Sequence, residues 1–360
     1  MNTIVLDDSA LNQYQDQQPH RPWSRRTNSF RLITAIAVLA PALIVAAIFM
    51  LTDIPGAVVM VGIYLPLQLV AAASAATVLR GKKSAGDGAI IVLAIGATVL
   101  ALVITASILW SIISKGMQAM SWHFIYQNNY YVSPSTSLEY GGVGHAILGT
   151  VMIVLIATLI SVPIGVATAV YITEVRGRAV PYVRFFVQAM SGVPSVVAGL
   201  FILTVMILNG VLTQSALAGG LAYAILMLPT VARTAEEVLR LVPEDLRTGA
   251  LALGSTRART VFKVVLPAAR TGIITAAILG ISRVVGETAP LLLTALNNNR
   301  TVLNPIADPI TALPTYIFGN VALPYPQAVT RAWGAALVLM IIVAILFVIA
   351  RFFGARRFKK

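Results

Sequence analysis

The sequence predicts an all-α protein that crosses a membrane about eight times, and three observations carry that expectation. First, the chain is 58% hydrophobic and only 11% charged, with mean hydropathy +0.85, whereas a soluble domain is about half apolar and about a quarter charged. Second, a helix needs about 20 apolar residues to cross hydrocarbon, and such runs occur at 32–51, 56–79, 89–113, 144–172, 184–208, 216–232, 271–296 and 331–353. Third, the segments joining them alternate between basic loops and short uncharged or acidic turns. Cysteine is absent, which excludes disulfides and thiolate metal sites. His20, His123 and His145 are too scattered to form a metal cluster.

In chain order, residues 1–31 read as a polar tail rich in Gln, Asp and Pro. It lacks the apolar core and small-residue cleavage site of a signal peptide. The first two runs carry no charge and lead to a Gly/Ser/Lys linker, so 32–87 is expected to form two extra helices. Residues 88–353 then form the main transmembrane domain and 354–360 a basic tail. With the N-terminus inside, the basic residues at 21–31, 80–83, 176–184, 233–270 and 351–360 all face the cytoplasm. Of the 26 Lys and Arg, only Lys115, Arg300 and Arg331 fall outside and Arg283 within the membrane. The positive-inside rule strongly favours this placement, with both termini cytoplasmic. The net charge of +13 is thereby assigned to topology and lipid contact, not to nucleic acid.

Segment 115–143 is expected outside, with Trp122, Phe124, Tyr126, Tyr130, Tyr131 and Tyr140. These aromatics form either an interfacial belt or a docking surface for an external binding protein; segment 297–330 has the same two readings. His145 is expected to cap its helix or sit at the interface. In the run 184–208, Ser191, Gly192, Pro194, Ser195 and Gly199 interrupt the apolar residues. Proline removes a backbone hydrogen bond, and the freed groups need protein or a water-filled cavity. A break lining the path, with Ser191 and Ser195 in it, and ordinary close helix contact remain open.

The loop 233–270 spells a helical knob. Pro243 opens a helix, Glu244 and Asp245 suit its first turn, and Gly254 stops it in the left-handed conformation. Ser255 or Thr256 then caps a second helix, expected to run to Leu266 and end at Pro267. In the following run, Arg283 lies roughly 18 Å from the start at about 1.5 Å per residue, near mid-membrane. Glu287 is four residues on, so both are expected on one face. A pair at that depth neutralises itself, yet apolar residues would be less costly. A guanidinium has five donors and grips a tetrahedral oxyanion bidentately, which Lys does less well. The functional reading is that Glu287 holds Arg283 until an anion arrives, with the Thr288 hydroxyl nearby. The alternative is a salt bridge locking two helices.

Gly254, nine intervening residues and then Val264-Val265-Leu266-Pro267 resemble the EAA loop of ABC importer permeases. Thr248, Gly249 and Ala250 occupy the Glu-Ala-Ala positions, so the loop's Glu is absent, and Glu244 or Asp245 one turn upstream is the candidate substitute. The stretch Arg283 to Leu293, with its Gly-Glu-Thr-Ala-Pro-Leu-Leu run, and the stretch Ser191 to Phe201 resemble phosphate-specific importer permeases of the PstA type. The resemblance covers residues from about 141 to the C-terminus. It implies a six-helix type I permease core preceded by two additional helices, in a bacterial plasma membrane. It further implies a homologous PstC-type permease partner, two ATP-binding subunits holding the ATP and Mg, and an external phosphate-binding protein. The knob would dock in an ATPase cleft, and Arg283 would matter for phosphate translocation.

No cofactor of the chain's own is expected, and no Gly-x-x-x-x-Gly-Lys-Ser/Thr run occurs. With no nucleophile–base arrangement either, the chain is expected not to be an enzyme. Competing readings are a sulfate or molybdate importer of the same mechanism, an ion-gradient carrier and a membrane sensor. A carrier favours internally repeated broken helices, and the sequence shows no such repeat.

Overall fold

The structure, a computed structural model, describes residues 28–52, 59–81, 84–175 and 177–355. The predicted tail with Arg21, Arg25 and Arg26, the linker residues Lys82 and Lys83, Arg176 and the basic end from Arg356 lie outside the described residues. Among the described residues every regular element is helical. The chain divides into two compact units, one to Ser107 and one from Ile108.

In the first unit, α1 (Asn28–Leu51) lies beside α2 (Leu65–Arg80), which a π turn at Met60–Tyr64 precedes. Gln68 of α2 donates to the Ala37 carbonyl of α1 at 3.2 Å, so its amide finds a partner in an apolar setting. Ser84 then donates to the Ala76 carbonyl at 2.8 Å, fixing the turn into α3 (Ala85–Gly116). There α3 crosses α2 so closely that a side chain on Gly88 would strike the Ala72 carbonyl.

The second unit contains α4 (Trp122–Tyr126), α5 (Gly144–Val170), α6 (Val180–Ser191), α7 (Ser195–Ile202), α8 (Ala216–Arg240) and α9 (Glu244–Ala252). It continues with α10 (Arg257–Thr260), α11 (Leu266–Val284), α12 (Ala289–Thr294), α13 (Leu313–Val321) and α14 (Pro326–Ala355). Seven described helices are long and apolar enough to cross a membrane, and α6 with α7 makes an eighth span bent by 102°. Eight crossings were expected, and the broken one falls where Pro194 and its small neighbours interrupt the sequence.

At the centre is α8. Of its apolar window 67% is buried, against 28% or less in the other candidate spans. Small residues make this centrality possible. Gly220 meets Ile156 of α5 where a Cβ would lie 2.5 Å from the Ile156 side chain. Ser161 of α5 donates to the Ala224 carbonyl of α8 at 3.1 Å. Around them Ile153, Tyr223, Met227, Val231, Val284 and Leu291 form the core.

Two expected boundaries are corrected. The membrane run 216–232 is part of a helix reaching Arg240, because 233–240 adds no glycine or proline to stop it. Pro267 does not end a helix: α10, a π turn at Val261–Val265 and α11 continue as one 28-residue helical stretch, Arg257–Val284. The Leu266 N–H reaches back to the Val261 carbonyl, a five-residue step that widens the helix just before the proline ring. The ring's clash and missing donor are absorbed there.

Segment 120–143 joins residues 297–316 through side chains. Asn129 donates to the Tyr316 hydroxyl at 2.8 Å, and the Arg300 guanidinium stacks 3.9 Å over the Tyr130 ring. Arg331 is 1% exposed and donates to the carbonyls of Thr136, Ser137 and Tyr140 at 2.7–3.1 Å. Phe124 is buried core and not a surface aromatic, while Trp122, Tyr131 and Tyr140 stay exposed. His145 does not cap α5, whose N-cap is Val143. It is buried, edge-on to the Tyr316 ring at 5.7 Å.

Candidate functional site

The site around Arg283 is built on a helix break. α11 stops at Val284, and a turn follows in which the Glu287 N–H reaches the Val284 carbonyl at 3.0 Å. Pro290, second residue of α12, has no N–H to continue the ladder. A break beside an apolar span frees backbone groups that need partners within the protein. One of them, the Glu287 carbonyl, accepts the hydroxyl of Tyr223, a residue of α8 that is 1% exposed.

The break corrects the expected pairing of Arg283 with Glu287. Four residues apart on a helix would place them together, but the helix ends one residue after Arg283. Among the described residues Arg283 makes no ion pair. Its Nη1 donates to Thr230 Oγ1 of α8 at 2.8 Å, and its side chain is exposed. Glu287 and Thr288 are half-buried beside it in sequence. The remaining guanidinium donors are available to a ligand.

The two sequence stretches singled out above meet in space. Gly199 of α7 lies on Pro290 of α12, where a Cβ would sit 2.6 Å from Pro290 Cα. Ser191 closes α6 and donates to the Gln188 carbonyl at 2.7 Å. Ser195 opens α7 just past the bend. Both are half-buried, and neither hydrogen-bonds to Arg283, Glu287 or Thr288. The contact between the stretches is made by the glycine, not by the serines.

The knob forms largely as its residues dictate. Pro243 is the N-cap of α9, Glu244 and Asp245 occupy its first turn, and Thr248 donates to the Glu244 carbonyl at 3.2 Å. Gly254 takes φ +79°, the left-handed region open to glycine, and Ser255 N–H closes the corner on the Ala250 carbonyl at 3.2 Å. Thr256 caps α10, accepting the Arg259 N–H at 3.3 Å. Gly249 stands clear of other atoms, and Leu253 is 91% exposed. Leu266 leans on the cluster of Leu239, Val265 and Ala269, while Pro267 is exposed.

A match with the family of binding-protein-dependent transport system inner membrane components covers residues 161–359, and so takes in the bend, the knob and the Arg283 break. The chain belongs to that family. Within it, the chain is 37% identical over 267 residues to phosphate transport system permease protein PstA 1 of Mycobacterium tuberculosis (strain ATCC 25618 / H37Rv), covering 72% of this chain and 85% of that one. It is 34% identical over 252 residues to PstA of Yersinia pestis, covering 69% and 83%. With a probable PstA of Methanocaldococcus jannaschii it shares 36% over 259 residues, covering 71% and 89%.

In this inner membrane component, sequence reasoning missed Tyr223 and Thr230, which contact the Arg283 break, and the two carboxylates Glu174 and Glu236. Glu236 is buried and accepts from Arg184 of α6 at 3.0 Å and from Arg240 of its own helix. Glu174, in the π turn Tyr171–Val175 that extends α5, accepts from Arg247 of α9 at 3.0 Å. The available signal was sign: each is a carboxylate on a face otherwise crowded with arginine. Their partners are 52 and 73 residues away, beyond any local pattern.

Proposed function

We propose that this chain is the permease subunit of an ATP-driven phosphate importer, forming half of the membrane pore. The observation that carries it is Arg283: a mid-membrane guanidinium held by one hydroxyl, Thr230 Oγ1 at 2.8 Å, and by no carboxylate. A guanidinium in that state offers forked donors to a tetrahedral oxyanion. The arginine is functional by default at such depth, since a charge there is costly. The PstA relatives support phosphate as that anion. Glu287 stands near in sequence as a repelling charge that keeps the anion from staying, with Thr288 as a second hydroxyl. Ser191 and Ser195 flank the path at the bend.

The rest of the assembly follows the same reading. A PstC-type permease supplies the other half of the pore, two ATP-binding subunits supply hydrolysis, and an external phosphate-binding protein delivers the solute. The chain itself holds no ATPase site. The knob from Glu244 to Leu266 docks on an ATP-binding subunit, supported by its exposed Leu246, Leu251 and Leu253. Both termini lie in the cytoplasm, and the helices of 32–87 are additional to a six-helix core.

The test is uptake by the complete complex in phospholipid vesicles. Arg283→Ala should leave the complex assembled and lower phosphate uptake at least about tenfold, the loss of one charge-assisted contact worth about 1.5–3 kcal/mol. Undiminished uptake overturns the role of Arg283. ATP turnover driven by sulfate and not by phosphate overturns the substrate.

A further inference from the structure

We propose that the Glu174–Arg247 pair is the link through which the knob moves the pore helices. The proposal rests on the docking of α9 to an ATP-binding subunit and goes beyond it by naming the path of the motion.

The α10 side of the knob runs on into α11, but its α9 side has little else with which to hold the ends of α5 and α8. None of its α9 residues is fully buried, and apart from Arg247 and the half-buried Ala250 all are exposed. Arg247 is different. Its side chain is 12% exposed and that of Glu174 is 11% exposed. Nε lies 3.3 Å from both Glu174 oxygens, and Nη2 lies 3.0 Å from Oε1. Nη2 also donates to the Leu239 carbonyl at 2.8 Å, and Nη1 to the Val242 carbonyl at 2.6 Å. A further contact joins Nη1 to Glu244 within the knob at 3.2 Å. Leu239 is in the last turn of α8 and Val242 lies two residues past its end, where carbonyls lack the i+4 partners of a helix. One guanidinium therefore joins the ends of α5 and α8 to α9.

The second half of the path is α8 itself. Leu239 and Thr230 lie on the same side of Pro229, the one interruption within that helix. They are about 14 Å apart at about 1.5 Å per residue and move as one rod. Thr230 is the residue that hydrogen-bonds Arg283. A displacement of α9 is thus delivered through Arg247 to the end of α8, and from there to the hydroxyl that holds the mid-membrane guanidinium. Moving Thr230 shifts the guanidinium it holds, and so changes where the remaining donors meet the anion.

The experiment uses the full complex, with permease pair, ATP-binding subunits and binding protein, in phosphatidylethanolamine–phosphatidylglycerol vesicles. It compares Glu174→Gln and Arg247→Lys with the unaltered chain. Phosphate carried per ATP hydrolysed is the readout, alongside cross-linking of a Leu253→Cys knob to the ATP-binding subunit. With the cross-link and basal hydrolysis intact, the ratio should fall at least about fivefold in each variant, as expected when coupling between sites is lost. An unchanged ratio overturns the link. Loss of assembly in both variants also overturns it, assigning the pair to holding the fold alone. Absence of the cross-link in the otherwise unaltered chain refutes the docking of α9 and not the pair.

Discussion

Gly199 of α7 and Pro290 of α12 touch backbone to ring, closer than any side chain on residue 199 would allow. Each lies beside a break in its own span: α6 and α7 bend by 102° at 192–194, and α11 stops at Val284. Two interrupted helices are held together at their interruptions.

Gly199→Val should therefore separate them. Overfilling a close contact costs about 1–3 kcal/mol, and here the obstacle is backbone that cannot rotate aside. The purified complex should unfold at lower temperature and take up less phosphate, while Gly86→Ala in α3, where nothing stands within 4 Å, should leave both unchanged.

Tyr223→Phe removes one hydroxyl and leaves the Glu287 carbonyl without its donor from α8. An unsatisfied group in an apolar site costs about 1–3 kcal/mol. The expected result is a less stable complex in thermal unfolding and lower uptake, because the segment carrying Glu287 and Thr288 loses its fixed position. Equal stability and uptake would show that water or another group satisfies that carbonyl.

Gly254→Val sets a β-branched residue at φ +79°, a conformation costing L-residues about 1–2 kcal/mol or more. Space is not the obstacle, since no atom lies within 4 Å of the added Cβ. The knob should reshape while the bundle stays folded. Pull-down should recover less ATP-binding subunit on an otherwise intact permease, and thermal unfolding of the membrane part should be little altered.

How far the sequence could be read depended on range. The eight crossings followed from apolar runs, and the corner at Gly254 and the cap at Thr256 followed from chemistry within four residues. Pro267 misled because a proline marks either an end or an absorbed strain, and the π turn at Val261–Val265 leaves no residue signature. Arg283 and Glu287 misled because their spacing was read on an unbroken helix, although Pro290 stood three residues beyond. What holds Arg283 in place, Thr230, lies 53 residues away. Arg247 finds Glu174 at a separation of 73. Such distances are closed by packing around α8, and no periodicity announces them.

Arg331 grips Thr136, Ser137 and Tyr140 by their backbone oxygens alone. The tether does not depend on which side chains stand at those three positions. That stretch can accept substitutions at its surface, and so be retuned to a different neighbour, without being cut loose from the helix beneath it.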